Sequence, residues 1–297
     1  MTFAKLSGSL LARKDTQAAP TLADLVSVPP AATPAPASSP PAADDEASKL
    51  LAEHLKALKL PAFLGTYQRL AAQAAAEGLD HSQYLLRLAE AELLERQRRL
   101  IERRIKAARF PASKELQSFD FAVVPSLDQS LARQLGECGF IERRENVIVV
   151  GNSGTGKTHI AIALGLAACQ RGLSVGFFTA ASLTRELLET GDERRLMRLQ
   201  SRLAAYKLLI IDELGYVPLP TAAAELLFEI VSQRYERGST IITSNLPVDQ
   251  WGGILGSAPL AAAVLDRLTH HVHILELQGE SYRLRDNRQR HTQVSAR

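Results

Sequence analysis

The sequence predicts an α/β chain, with a parallel sheet covered by helices on both faces and a small helical unit in front of it. Two observations carry this expectation. From Asn146 onward, short apolar runs alternate with helical patterns, and the first run leads directly into Gly151-Asn152-Ser153-Gly154-Thr155-Gly156-Lys157-Thr158. Alternating strands and helices of this kind form parallel sheets, because each crossover helix must return over a face of the sheet. The octet reads G-x-x-x-x-G-K-T, a pattern whose glycines turn the backbone so that successive N–H groups point at one anion.

Each element follows from its residues. Asn146-Val-Ile-Val-Val150 is a buried strand, and His159 to Arg171 is a helix with Ile160, Ala163, Leu164 and Ala167 on one face. Val175 to Thr179 is the second strand, followed by helical stretches from Ser182 to Leu188 and from Asp192 to Ala205. Leu208 to Ile211 is the third strand, Thr221 to Tyr235 a helix, and Thr240 to Thr243 the fourth strand. Pro259 to Leu268 is a helix, and Val272 to Leu277 the last strand.

The N-terminal part divides by composition. Seven of the chain's fourteen prolines fall between residues 15 and 46 among Ala, Ser and Thr, so residues 1–46 are expected to be disordered. Residues 47–110 read as a helical domain for binding DNA or a partner. Leu51, Leu55 and Leu58 repeat at helical spacing before Pro61, and Phe63, Tyr67 and Leu70 continue on a second helix that stops near Gly78. Asp80 with Gln83 three residues later forms a capping box for a third helix reaching Ala108. Three helices bury little alone, so this unit is expected to pack on DNA, on the following domain or on another copy. Its arginine-rich end is expected to stay out of any core. Residues 111–285 form the nucleotide-binding domain, and 286–297 a basic tail. Between the helical domain and the first strand, the connector Pro111 to Glu145 holds the aromatic pair Phe119 and Phe121 and a helix with Leu127, Leu131 and Leu135.

The net charge is only +3, but it is concentrated. Ala91 to Lys114 holds eight basic residues against three acidic ones, and Arg283 to Arg297 five arginines against Asp286. Such stretches suit an anionic polymer, nucleic acid above all. A solvated helix face with pairs such as Glu95–Arg99 and Glu102–Lys106 fits the first stretch equally well. No run approaches the ~18 apolar residues of a membrane span. Two cysteines, Cys138 and Cys169, without metal-like spacing fit a reducing, cytoplasmic setting. His270, His271 and His273 lack a thiolate or acid at zinc-ligand spacing, and Trp251 and Cys169 read as packing residues.

The chemistry-bearing residues fall at strand ends. Lys157 is expected to reach the outer phosphates of a nucleotide and Thr158 to hold Mg²⁺. Asp212-Glu213 follows an apolar strand, which places two carboxylates at the sheet edge where a nucleotide binds. The first would orient hydrated Mg²⁺ and the second polarise a water for attack on the γ-phosphate. Asn245, at the tip of the fourth strand, suits the attacking water or the γ-phosphate, and also suits a turn before Pro247. Arg267 is positioned for an arginine finger from a neighbouring subunit, or for an ordinary surface or Asp-paired role.

These strings together resemble the IstB-like family, AAA+ ATPase helpers of insertion-sequence transposases that are related to DnaC-like helicase loaders. The resemblance rests on Gly151 to His159, Ile210-Ile-Asp-Glu-Leu-Gly-Tyr216, Arg234 to Asn245, Leu265-Asp-Arg-Leu268 and Glu280-Ser-Tyr-Arg-Leu-Arg285, and covers about Ala47 to Arg285. It implies an AAA+ core with little or no lid, and ATP with Mg²⁺ as cofactors. It further implies self-assembly on duplex DNA, a partner transposase, and ATP hydrolysis as the reset. By motif position it makes Gly151 to His159 the nucleotide cradle, Thr158 and Asp212 the metal residues and Glu213 the catalytic base. Asn245 becomes the first sensor, Arg267 a finger acting in trans, and Arg283 a second sensor with Arg285 its rival. Two other functions stay open: a helicase loader on single-stranded DNA, and a nucleotide-dependent scaffold without turnover. Glu213 counts against the scaffold. Arginines without interleaved aromatics favour duplex over single strands.

Overall fold

The structure, a computed structural model, describes residues 42–189, 192–279 and 281–282. It divides into two compact units, residues 1–57 and 58–297. In the first, one helix is described, α1 (Ala42–Ala57). It starts inside the segment that composition assigns to disorder, because Ala42 and Ala43 after the last proline have high helix propensity. Residues 1–41 lie outside the described residues.

The second unit opens with α2 (Pro61–Glu77) and α3 (His81–Ala108). Pro61 sits at the start of α2, where its missing N–H costs nothing, and Gly78 closes the helix in the left-handed conformation. The capping box forms as the sequence predicts: the Gln83 N–H donates to Asp80 at 2.8 Å and the Asp80 N–H to the Gln83 side chain at 3.1 Å. Glu92 supplies a link that the sequence does not announce. It is buried in α3 and accepts the Ala62 N–H at 2.9 Å, so it satisfies a free donor in the first turn of α2.

The sheet contains five parallel strands in the order β2-β3-β4-β1-β5. They are β1 (Asn146–Gly151), β2 (Val175–Thr179), β3 (Leu208–Leu214), β4 (Ser239–Ser244) and β5 (Val272–Leu277). Strand alternation divides the core in two. Val147, Val149, Phe177, Ile210 and Leu275 face α6 (Lys157–Gln170) and the connector helices α4 (Gln129–Gly136) and α5 (Gly139–Glu142). Ile148, Leu209, Ile211 and Ile242 face the other layer: α7 (Ala180–Leu188), α8 (Glu193–Ala205), α9 (Thr221–Arg234), α10 (Trp251–Ile254) and α11 (Ala258–Thr269). This is an AAA+ P-loop fold. Trp251 and Cys169 are fully buried, as their packing roles require.

Helix α3 does not stand apart from the sheet. Ala108 is part of the core beneath α6, Ile105 packs against it, and Phe110 meets Phe177 edge-on at 5.9 Å between ring centroids. The expectation that the arginine-rich end stays out of the core is therefore corrected. One apolar stripe of that end is buried, and the cations occupy the remaining faces.

A buried arginine joins three elements on the far side. Arg234 donates to the carbonyls of Leu203, Tyr206 and Ser239 and to the Thr240 hydroxyl, and burial pulls its guanidinium down to about 10. It satisfies carbonyls at the end of α8 and fixes the approach to β3, so its charge is spent on structure.

Candidate nucleotide site

The octet forms the turn between β1 and α6 at the C-terminal ends of the strands, where α/β folds bind their ligands. Gly156, at the N-cap of α6, has φ +100°, and a Cβ there would lie 2.7 Å from the Phe119 ring. Gly154 has φ +82°, and a Cβ would lie 2.1 Å from the Ser281 hydroxyl. Only glycine fits these two places, so the loop keeps its backbone N–H groups bare. The Tyr282 N–H donates to the Gly154 carbonyl at 2.9 Å and ties the chain after β5 onto the loop. Beside the loop is a cavity of about 460 Å³, lined by Gly154 to His159, by Glu213 and Thr243, and by connector residues that include Phe119 and Val124.

The polar groups at its floor are held tightly. Lys157 is buried, and its ammonium donates to the carbonyls of Gly151 at 2.8 Å and Asn152 at 2.7 Å. Thr155 donates to the same Asn152 carbonyl at 2.9 Å. The Thr158 hydroxyl donates to the buried Asp212 carboxylate at 2.9 Å. Thr243, on β4, donates to the other Asp212 oxygen and accepts the Glu213 N–H at 2.9 Å. One hydroxyl thus fixes both acids, and nothing in the sequence reading singled it out. Threonine is an ordinary strand residue, so β4 gives no signal for this role.

Glu213 sits in the left-handed region at φ +64°, where a non-glycine residue is uncommon and strained. The pairing of β3 with β4 shifts register between Ile211 and Leu214, around these acids. That turn leaves Asp212 buried and Glu213 exposed at the cavity wall. Asn245 stands at the tip of β4, and its Oδ1 is buried with no hydrogen-bond partner among the described residues. An orphaned acceptor there suits a water or another donor entering with a ligand.

His159 faces the connector. Its Nε2 lies 2.9 Å from the Glu115 carbonyl and its ring meets Phe119 edge-on at 5.2 Å. Burial, and then Lys114 nearby, lower its pKa, which keeps the ring neutral near pH 7. Ser153 contacts the Tyr216 hydroxyl at 3.2 Å. Phe119 and Tyr216 are further residues of this site that the sequence reading left without a role. The aromatic pair in a polar connector was the available signal for Phe119.

Arg267 does not line this cavity. Its guanidinium lies 4.6 Å from the centre of the Phe228 ring and donates to the Ala263 carbonyl at 3.1 Å. Arg283 and Arg285 lie outside the described residues. The histidines near β5 have ordinary partners: His273 pairs with Glu145 at 2.8 Å, and His270 lies 3.2 Å from the Tyr235 hydroxyl.

The residues present fit a nucleoside triphosphate with Mg²⁺. The bare glycine loop suits its phosphates, the buried lysine their charge, and the Thr158–Asp212 pair the metal.

The profile of the IstB-like ATP binding protein family matches residues 53–290. The chain belongs to this family. It is 40% identical over 236 residues to a protein named as the ATP-binding protein of insertion sequence IS5376 in Geobacillus stearothermophilus, covering 80% of this chain and 94% of that one. A Pseudomonas aeruginosa protein named for insertion sequence IS21 is also 40% identical, covering 79% of this chain and 88% of its own length. A third, named for IS232 in Bacillus thuringiensis, is 35% identical over 70% of this chain and 84% of that one. The IstB-like chain is thus an ATP-binding protein of the insertion-sequence type. Among its described residues no helix is long and apolar enough to cross a membrane.

Proposed function

We propose that this IstB-like chain hydrolyses ATP to time its own assembly on duplex DNA in the cytoplasm. The assembled form recruits or stimulates a partner transposase, and hydrolysis resets it. The observation that carries the reading is Glu213. Its backbone is clamped by Thr243, its strained turn aims it at the cavity, and the buried Asp212 beside it is already held by two hydroxyls.

In this reading the backbone of residues 151–156 and Lys157 grip the phosphates, and Thr158 with Asp212 would hold Mg²⁺. Bound there, Mg²⁺ would neutralise charge on the phosphate oxygens. Glu213 takes a proton from the attacking water, and Asn245 orients that water or the γ-phosphate through its free carbonyl or amide. Arg267 lies off the cavity of its own chain, which suits service to the site of a neighbouring copy. Arg283, which lies outside the described residues, would serve as a second sensor of the nucleotide, with Arg285 its rival.

The test is binding to labelled duplex and single-stranded DNA with ATP, with ADP and without nucleotide, at several salt concentrations, with the neighbouring transposase added last. The expected result is tight duplex binding only with ATP, and transposase retained only on that complex. Preference for single strands would overturn the reading in favour of a helicase loader. Nucleotide-independent binding would remove the timing role.

A further inference from the structure

The charges of α3 are sorted along its length. Over residues 92–102 the cations are neutralised within the helix. Arg96 pairs with Glu92, Arg98 with Glu95 and Glu102, and Arg99 with Glu95, whose carboxyl these arginines hold near 2. Over residues 103–109 there is no acidic residue, and Arg103, Arg104, Lys106 and Arg109 have no ion pair among the described residues. The buried Arg104 Nε has no hydrogen-bond partner among the described residues.

The unneutralised part lies at the margin of the sheet. Arg103, Lys106 and Arg109 line an open groove of about 500 Å³ together with residues 176–178 of β2 and with Arg202 and Tyr206 across it. Strand β2 ends the sheet, so its outer edge has no further strand to pair with. The position of Tyr206 is built in. A Cβ on Gly176 would lie 2.6 Å from its ring, so only glycine lets that ring cross the strand. Of the four cations lining the groove, Arg202 is the one with an ion pair among the described residues, to Glu186 on α7.

Cations in a last helical turn also complement the helix dipole, and that would account for Lys106 alone. It does not account for cations on both walls of one groove, from helices about a hundred residues apart in sequence. Like charges brought together without counter-charges cost stability unless a polyanion neutralises them.

We propose that this groove is the contact for the phosphate backbone of duplex DNA, held by the cations of α3 that have no counter-charge, Arg103, Lys106 and Arg109. Long cations along an open groove reach phosphate oxygens, and phosphate contacts are sequence-independent. The proposal rests on the DNA-binding reading above and locates it on one surface.

The experiment uses the full chain with ATP and measures duplex affinity from low to high salt for wild type, for Arg103→Ala/Lys106→Ala, for Arg202→Ala and for Arg98→Ala/Arg99→Ala. Thermal melts check that each variant folds. Each phosphate contact removed flattens the log–log salt slope by about 1, so the Arg103/Lys106 double variant should lose about 2 and bind all sequences more weakly. Arg202→Ala and the Arg98/Arg99 variant should each stay within about twofold, since these cations are already neutralised by neighbouring carboxylates. A wild-type slope in the Arg103/Lys106 variant overturns the groove and leaves the DNA reading intact. Loss of transposase capture with duplex affinity unchanged overturns it in favour of an acidic protein surface. A wild-type chain that binds no duplex overturns both.

Discussion

The nucleotide cavity and the β2-edge groove are built from opposite materials. At the cavity the lysine and the first acid are held by close partners. Asp212 accepts from Thr158 and Thr243, the Glu213 N–H is taken by Thr243, and Lys157 rests on two carbonyls. At the groove, exposed cations face solvent, and three of the four have no ion pair among the described residues. The first arrangement fixes geometry to fractions of an ångström, as in-line attack on a phosphate requires. The second fixes only charge, which is enough to hold a polymer whose sequence does not matter. In the proposed reading, chemistry belongs to one margin of the sheet and DNA attachment to another.

The largest effect expected from breaking this contrast comes from outside the cavity. Arg267→Ala should lower ATP turnover by about 10³-fold or more while nucleotide affinity in the isolated chain is kept, because a finger acting in trans serves only the transition state. Steady-state kcat and equilibrium nucleotide binding measured together would show this. A lower melting temperature with normal kcat would instead reduce Arg267 to a partner of Phe228.

Thr243→Val should act next. It removes the donor to Asp212 and the acceptor for Glu213 at almost constant volume, and loss of such a supporting contact costs about 10–100-fold in activity. Thr243→Ser, which keeps the hydroxyl, should recover most of the rate. If valine and serine behave alike, the cavity is less tightly specified than the hydrogen bonds indicate.

His159 gives the smallest effect and a defined sign. Its folded pKa lies below the ordinary 6.5 because burial disfavours the charged ring. The unfolded chain therefore takes up a proton first as pH falls. Stability should fall as pH drops below about 6.5, and His159→Gln should flatten that part of the curve. Denaturant midpoints at about pH 7 and about pH 5.5 measure it. Equal slopes in both proteins would mean that the ring titrates as it does in solvent.

Much of this was legible in the sequence because motifs preserve spacing. The glycine loop, Asp212-Glu213 and Asn245 each stand within a few residues of a strand end, so recognising the strand places the residue. The capping box fixed the start of α3 in the same local way. What could not be read depends on contacts across long sequence distances. Phe119 reaches Gly156 from the connector, Thr243 meets Asp212 only through the pairing of β3 with β4, and Arg202 faces Arg103 across the end of the sheet. Alternation along the chain implies a parallel sheet but does not say that β1 lies between β4 and β5. The start of α1 was obscured by neighbouring prolines, whose composition hides two helix-forming alanines.

Glu213 is the proposed base of a hydrolytic site, and ATP turnover by the Glu213→Gln variant tests that role most directly. The variant should bind ATP as wild type does, lose about 10²–10⁴-fold in hydrolysis and remain on duplex DNA after wild type has released it. Hydrolysis at the wild-type rate would contradict the assignment.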